Sequence, residues 1–165
     1  MSRPGGGNLL ASSVGLRGTL RHPGRAYDWA VVKLPVYPQV VVTVPSEAGF
    51  VHVLRAVTSS VAARLELPFD DVQDLRIAID EACAQLLTLE PDAGTLRLQL
   101  QPREGGVEAL VSVNADVAGG WPPHAFQDTL AWKVLSGLSD EVAFEMPDQA
   151  PAIRILKRSS AGNTS

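Results

Sequence analysis

The stretch that most constrains the fold is Asp70 to Leu89, DDVQDLRIAIDEACAQLLTL. Val72, Leu75, Ile79, Ala82 and Leu86 recur at spacings of three and four, which makes one apolar stripe of an amphipathic helix. Asp70 reads as the N-cap, with Gln73 three residues on as in a capping box. Asp71 and Asp74 set negative charge at the positive end of the helix dipole. Asp74, Ala78, Glu81 and Gln85 form a second line, beside the apolar stripe and not opposite it. A carboxylate and a carboxamide one turn apart therefore stand at the edge of the core, where a cleft can form. From spacing alone, a solvated pair is the default.

The rest of the chain supplies partners for that helix. Residues 1–38 form a Gly/Pro/Arg-rich extension in which no period lasts long enough for a helix. Trp29 to Val36 is its one segment that could pair, and Pro35 and Pro38 restrict it to a sheet edge. Val40 to Val44 reads as a strand stopped at Pro45. Ser46 is placed to cap a helix running to about Leu65, with Phe50, Leu54, Val57, Val61 and Leu65 as its buried face. Thr95 to Gln101 and Val107 to Val113 alternate strictly and make a hairpin with a loop of four or five residues. Ala125 to Leu138 is expected to be a helix with Phe126, Leu130, Val134 or Ala131, and Leu138 inward. Val142, Phe144 and Met146, then Ile153 and Ile155, mark two last strands before a polar tail, 159–165.

The order is β-α-α-β-β-α-β-β. The expected class is α/β (α+β), a two-layer sandwich in which three helices cover one face of a mostly antiparallel sheet. The folded domain spans 39–158.

Charge and composition exclude several functions. The net charge is -4, yet residues 1–38 carry Arg3, Arg17, Arg21, Arg25 and Lys33 against Asp28 alone. Arg154, Lys157 and Arg158 near the other end face no acid in 151–165, so the body between is strongly acidic. An acidic body argues against direct nucleic-acid binding and favours a basic protein partner. A single cysteine, Cys83, rules out an internal disulfide framework, and its helical position suits packing. His22, His52 and His124 show no metal-ligand spacing. No apolar run approaches a membrane span, and no apolar segment follows the first basic residues as in a secretory signal. A soluble cytoplasmic protein is the expectation.

The wording of the central helix adds a resemblance. DLRIAIDEACAQLL resembles the N-box helix of the GHKL (Bergerat-fold) ATPases, and within them the RsbW-type anti-sigma factors, whose helix reads roughly D-L-x-L-A-V-x-E-A-x-x-N. The likeness extends more weakly over about Val40 to Arg158. It implies that Glu81 takes the place of the proposed general base of a protein serine kinase. Gln85 stands where the family has the Asn that holds Mg²⁺. The VPSE strand end followed by a helix is also similar to the family, and Arg55 matches an arginine of its partner-binding surface. Asp116 with Gly119 and Gly120 lies where the family has its adenine-binding D-x-G-x-G box, though the spacing here is Asp-x-x-Gly-Gly. The glycine-rich motif that opens the next helix is replaced by Asp128-Thr129-Leu130-Ala131-Trp132, so Thr129 falls in the phosphate-binding region with no glycine and with an acid beside it.

Two functions follow from the resemblance. One is an anti-sigma factor that sequesters an alternative sigma factor until a STAS-domain anti-anti-sigma factor competes, with a homodimer as the expected assembly. The other is an ATP-dependent serine kinase that phosphorylates that antagonist. The departures at Gln85 and Thr129 lead to an expectation of weak or absent ATP/ADP and Mg²⁺ binding.

Overall fold

The computed structural model describes residues 38–89, 94–117 and 120–162. The expected extension, 1–38, lies outside them apart from Pro38.

The elements run β1 (Val40–Pro45), α1 (Val51–Arg64), α2 (Phe69–Leu87), β2 (Thr95–Arg103), β3 (Gly106–Val113), α3 (Leu130–Leu138), β4 (Glu141–Glu145) and β5 (Ala152–Arg158). This is the order read from the sequence. The strands form one sheet in the order β1-β2-β3-β5-β4, with every neighbouring pair antiparallel. Pro45 closes β1 at the sheet edge, where its missing N–H leaves no gap in a central ladder.

Leu96, Leu98 and Leu100 of β2, and Val107, Ala109, Val111 and Val113 of β3, are buried, as their alternation requires. With Ile153 and Ile155 of β5 they meet Leu75, Ile79, Ala82 and Leu86 of α2 in a single core. Fully burying side chains of this size stabilises by about 1.5–3 kcal/mol each before chain entropy is counted.

Several local expectations are corrected. The β2–β3 turn has two central residues, Glu104 and Gly105, because Arg103 pairs with Gly106. Gly105 takes φ +68, a left-handed conformation open to glycine. A side chain at Gly106 would collide with the Lys157 carbonyl of β5, so glycine sets how closely these strands approach. Helix α2 begins one residue before Asp70, with Pro68 at the cap and no side-chain cap bond. Gln73 accepts a bond from Arg76 Nη1 at 2.7 Å and closes no capping box. Ser46 does not cap a helix either: its Oγ donates to Gly94 O at 2.9 Å.

A 3-10 turn over Ala48–Phe50 precedes α1, leaving Phe50 exposed and shifting the buried line to Leu54, Thr58 and Ala62. The Thr58 hydroxyl is satisfied by Leu54 O. A second 3-10 turn, Phe126–Asp128, takes up the start of the third expected helix, and Leu130 is exposed while Ala131 and Leu135 are buried. Met146 also lies outside the core. No helix among the described residues is long and apolar enough to cross a membrane.

Lys157 follows Ile153 and Ile155 on the inward face of β5 and is buried. Its ammonium donates to Asp74 Oδ2 at 2.8 Å and to Leu138 O at 3.3 Å, and stands 3.3 Å from Asp71 Oδ1. Asp71 is buried too, and its Oδ2 accepts from the Ser160 N–H at 2.7 Å and hydroxyl at 2.9 Å. The starts of α2 and the ends of α3 and β5 are thus joined at one polar knot.

Burial by itself raises the Asp71 pKa, but the Ser160 bonds and Lys157 outweigh it and hold the carboxyl below 3.8. For Lys157 burial acts downward, and Asp74 and Asp71 reverse it to leave the ammonium above 10.5. The Asp71 contribution is therefore present above pH 3.8 and lost as pH falls through its lower folded value. The Lys157 contribution is present below pH 10.5 and lost as pH rises through its higher folded value. Lys157→Met is expected to cost about 3 kcal/mol in urea denaturation, because it strands a buried carboxylate. That difference should hold between roughly pH 5 and 9 and shrink towards either extreme; a loss under about 1 kcal/mol would mean the knot is solvated.

Candidate functional site

Helix α2 carries different chemistry on its two flanks. At about 100° per residue, Glu81 and Gln85 fall within about 20° of Asp74 around the axis. Asp74 meets Lys157, whose ammonium also bonds the end of α3, so this flank is turned towards α3. Asp80 lies about 120° away on the other side and bonds α1 through Arg55. The core stripe runs between them.

Glu81 and Gln85 are half-buried, and the Gln85 amide donates to Glu81 Oε1 at 2.8 Å. The two residues singled out in the sequence are thus brought together, at the rim of the core, as their spacing suggested. The bond leaves Gln85 Oε1 and Glu81 Oε2 without hydrogen bonds among the described residues. One carbonyl and one carboxylate oxygen are suitable donors for a hard cation such as Mg²⁺, which takes its remaining ligands from water and phosphate.

The other candidate residues fit a nucleotide less well. Asp116 is exposed beyond the end of β3, and Gly119 lies outside the described residues. Gly120 takes φ +86, and its N–H donates to Val117 O at 2.9 Å in a local turn. Thr129 is the N-cap of α3: its Oγ1 accepts from Trp132 N at 3.2 Å and donates to Phe126 O at 2.6 Å. That hydroxyl is committed to the helix. Asp128 is exposed beside it and adds negative charge where a phosphate would need N–H donors. The residues present thus fit a metal ligand and a base, and do not fit a triphosphate cradle.

The segment leading into α3 is held by aromatic contacts. Phe144 of β4 meets Phe126 edge-on at 4.9 Å between centroids, Trp121 at 5.6 Å and Trp132 at 6.1 Å. Trp121 Nε1 also donates to Ala152 O at 3.0 Å. An open depression of about 350 Å³ lies on this segment, walled by residues 122–128 and Phe144, with neither Glu81 nor Gln85 in its lining. That opening is therefore not where the acid and amide sit.

Arg55 Nε donates to Asp80 Oδ1 at 2.9 Å, so the candidate partner-binding arginine is tied to the central helix. The sequence reading missed Asp80 and the Asp71–Lys157 pair. Alternation in β5 carried a signal for the second, since a lysine two residues after Ile155 must face the core and find a carboxylate.

No protein-family profile matches the chain. The chain is 38% identical over 107 residues to a protein named anti-sigma-F factor RsbW from Mycobacterium tuberculosis, covering 54% of this chain and 61% of that one. It is 34% identical over 89 residues to a protein named serine-protein kinase RsbW from Halalkalibacterium halodurans, covering 53% of each. The chain is similar to RsbW proteins. It spans between about half and three fifths of the length of these curated relatives. Its fold matches the crystal structure of the RsbU and RsbW domains of a Mycobacterium tuberculosis protein, with a TM-score of 0.58 and 15% identity over 74% of this chain and 33% of that one. At that identity the structural likeness concerns the fold alone. The RsbW relatives carry both an anti-sigma and a kinase name, so their names do not choose between the two activities.

Cys83 of α2 takes no part in this chemistry. Burial, helped by Asp80 and offset in part by Arg55, pushes its thiol up to about 12. A thiol-disulfide reagent at pH 8 is expected to leave native protein unmodified and to label one thiol per chain on unfolding. Rapid labelling of the folded protein would place Cys83 outside the core.

Proposed function

We propose that this chain is an anti-sigma factor. It binds and sequesters an alternative sigma factor in the cytoplasm, as a homodimer, and releases it when a STAS-domain anti-anti-sigma protein competes. The observation that carries this reading is the similarity to RsbW proteins on a matching fold. Arg55, half-buried on α1 beside α2, belongs to the partner-binding surface in this reading.

A second reading is an ATP-dependent serine kinase that phosphorylates the anti-anti-sigma partner. The Glu81–Gln85 pair favours it, since Glu81 would accept the proton of the substrate hydroxyl and Gln85 Oε1 would hold Mg²⁺. The rest of the site weighs against it. Phosphoryl transfer depends on positioned donors that neutralise the phosphates, and here the entry to α3 offers a committed hydroxyl and the Asp128 carboxylate. Sequestration needs none of these groups.

The test uses purified sigma factors and STAS proteins of the source bacterium. By calorimetry, one alternative sigma factor is expected to bind with Kd on the order of 1 μM or tighter. Mg-ATP binding should be weak or absent, and no phosphate should reach a STAS protein. Lack of binding to every sigma factor overturns the reading. Transfer at about 1 s⁻¹ or faster, abolished by Glu81→Gln, establishes the kinase instead.

A further inference from the structure

We propose that Asp80 is a positioning residue that sets the Arg55 guanidinium to receive a carboxylate from the sigma factor. This rests on the anti-sigma reading above. Arg55 Nε is bound to Asp80 Oδ1, and both side chains remain more than a third exposed. Neither Nη atom of Arg55 is hydrogen-bonded among the described residues. The fork is therefore held at its base and open at its tip.

Other ion-paired arginines are arranged differently. Arg103 and Arg158 spend a terminal nitrogen on Glu108 and Glu141, respectively. Arg154 places Nε on Glu145 and has Glu108 and Glu141 near Nη1. Their terminal edges are already occupied by the protein's own acids. Arg55 alone among these four keeps both terminal nitrogens for an outside ligand.

The chemistry of that ligand follows from the geometry. Two Nη groups present parallel N–H donors that match the two oxygens of a carboxylate. Ile77, half exposed one turn before Asp80 on α2, gives the same surface an apolar neighbour. The ligand class is a protein segment that offers an acidic side chain beside an apolar one. A guanidinium fixed in advance loses less rotational freedom on binding than a free one, so the gain appears as affinity. An ion pair this exposed adds little to stability, so the pair can be removed without loss of the fold.

Calorimetry of the full chain with the sigma factor that binds wild type tests the proposal. Asp80→Ala is expected to weaken binding about three- to tenfold. Asp80→Asn keeps an acceptor oxygen for Arg55 Nε and should stay within about twofold of wild type. In an Arg55→Ala background, Asp80→Ala should cause no further loss. Melting curves of each variant serve as the check on folding, and Asp80→Asn, nearly isosteric, remains informative if the alanine variant is destabilised. Binding by Asp80→Ala that equals or exceeds wild type overturns the proposal and makes Asp80 a competitor for Arg55. Equal losses in the presence and absence of Arg55 overturn it as well, as does an Asn variant as weak as the Ala variant. If no sigma factor binds wild type, the anti-sigma reading falls first; if binding is intact and only the Asp80 effects are missing, the positioning role alone falls.

Discussion

The candidate functional groups of α2 are placed by the burial of one of its faces. Leu75, Ile79, Ala82 and Leu86 lie fully inside, against the alternating aliphatic residues of β2, β3 and β5. Once that stripe is fixed on the sheet, helical geometry leaves no choice about the flanks. Asp80 leaves the helix on one side of the stripe, and Asp74, Glu81 and Gln85 on the other. Asp80 and Glu81 are neighbours in sequence, about 100° apart around the axis. One dipeptide thus serves two surfaces, the first towards the proposed protein partner and the second towards the proposed chemical site.

The polar contacts follow the same logic at different dielectric. The Asp71–Lys157–Ser160 knot is buried and nearly saturated with bonds, so it behaves as a structural tie whose loss strands a charge. The Arg55–Asp80 pair is half in water and incompletely bonded, so it contributes little to stability and keeps donors available. The Glu81–Gln85 bond is part-buried and leaves one oxygen of each residue uncommitted. Its neighbour across the flank, the start of α3, is a self-sufficient cap made by Thr129 and not an anion cradle. A site of this kind holds together without a nucleotide, which is the physical content of the sequestration reading.

Much of the fold was legible in the residues. Strict alternation located β2, β3 and β5, and helical spacing located α1 and α2, because side-chain direction repeats with a fixed period in each element. The pairing of Glu81 with Gln85 was readable for the same reason, as four residues is one turn. The misreadings cluster at element ends. Period alone assigns Phe50, Leu130 and Met146 to the core, yet Phe50 lies in a 3-10 turn, Leu130 opens α3 just after another, and Met146 follows the end of β4. Asp70 and Ser46 had the right chemistry for caps, but Pro68 and a 3-10 turn took those positions.

By itself, then, the sequence determined the order of elements, the faces that would be buried and the two flanks of α2, because these depend on periods within single elements. Only the tertiary structure decided what each flank would meet. Arg55 and Asp80 are 25 residues apart, and Asp74 and Lys157 are 83 apart. Which acid faces which base depends on how the helices settle on the sheet and on the depth of each charge. The same decided that Thr129 caps a helix, since a hydroxyl bonds whichever donors the chain brings within reach, and one-dimensional spacing carries no record of that distance.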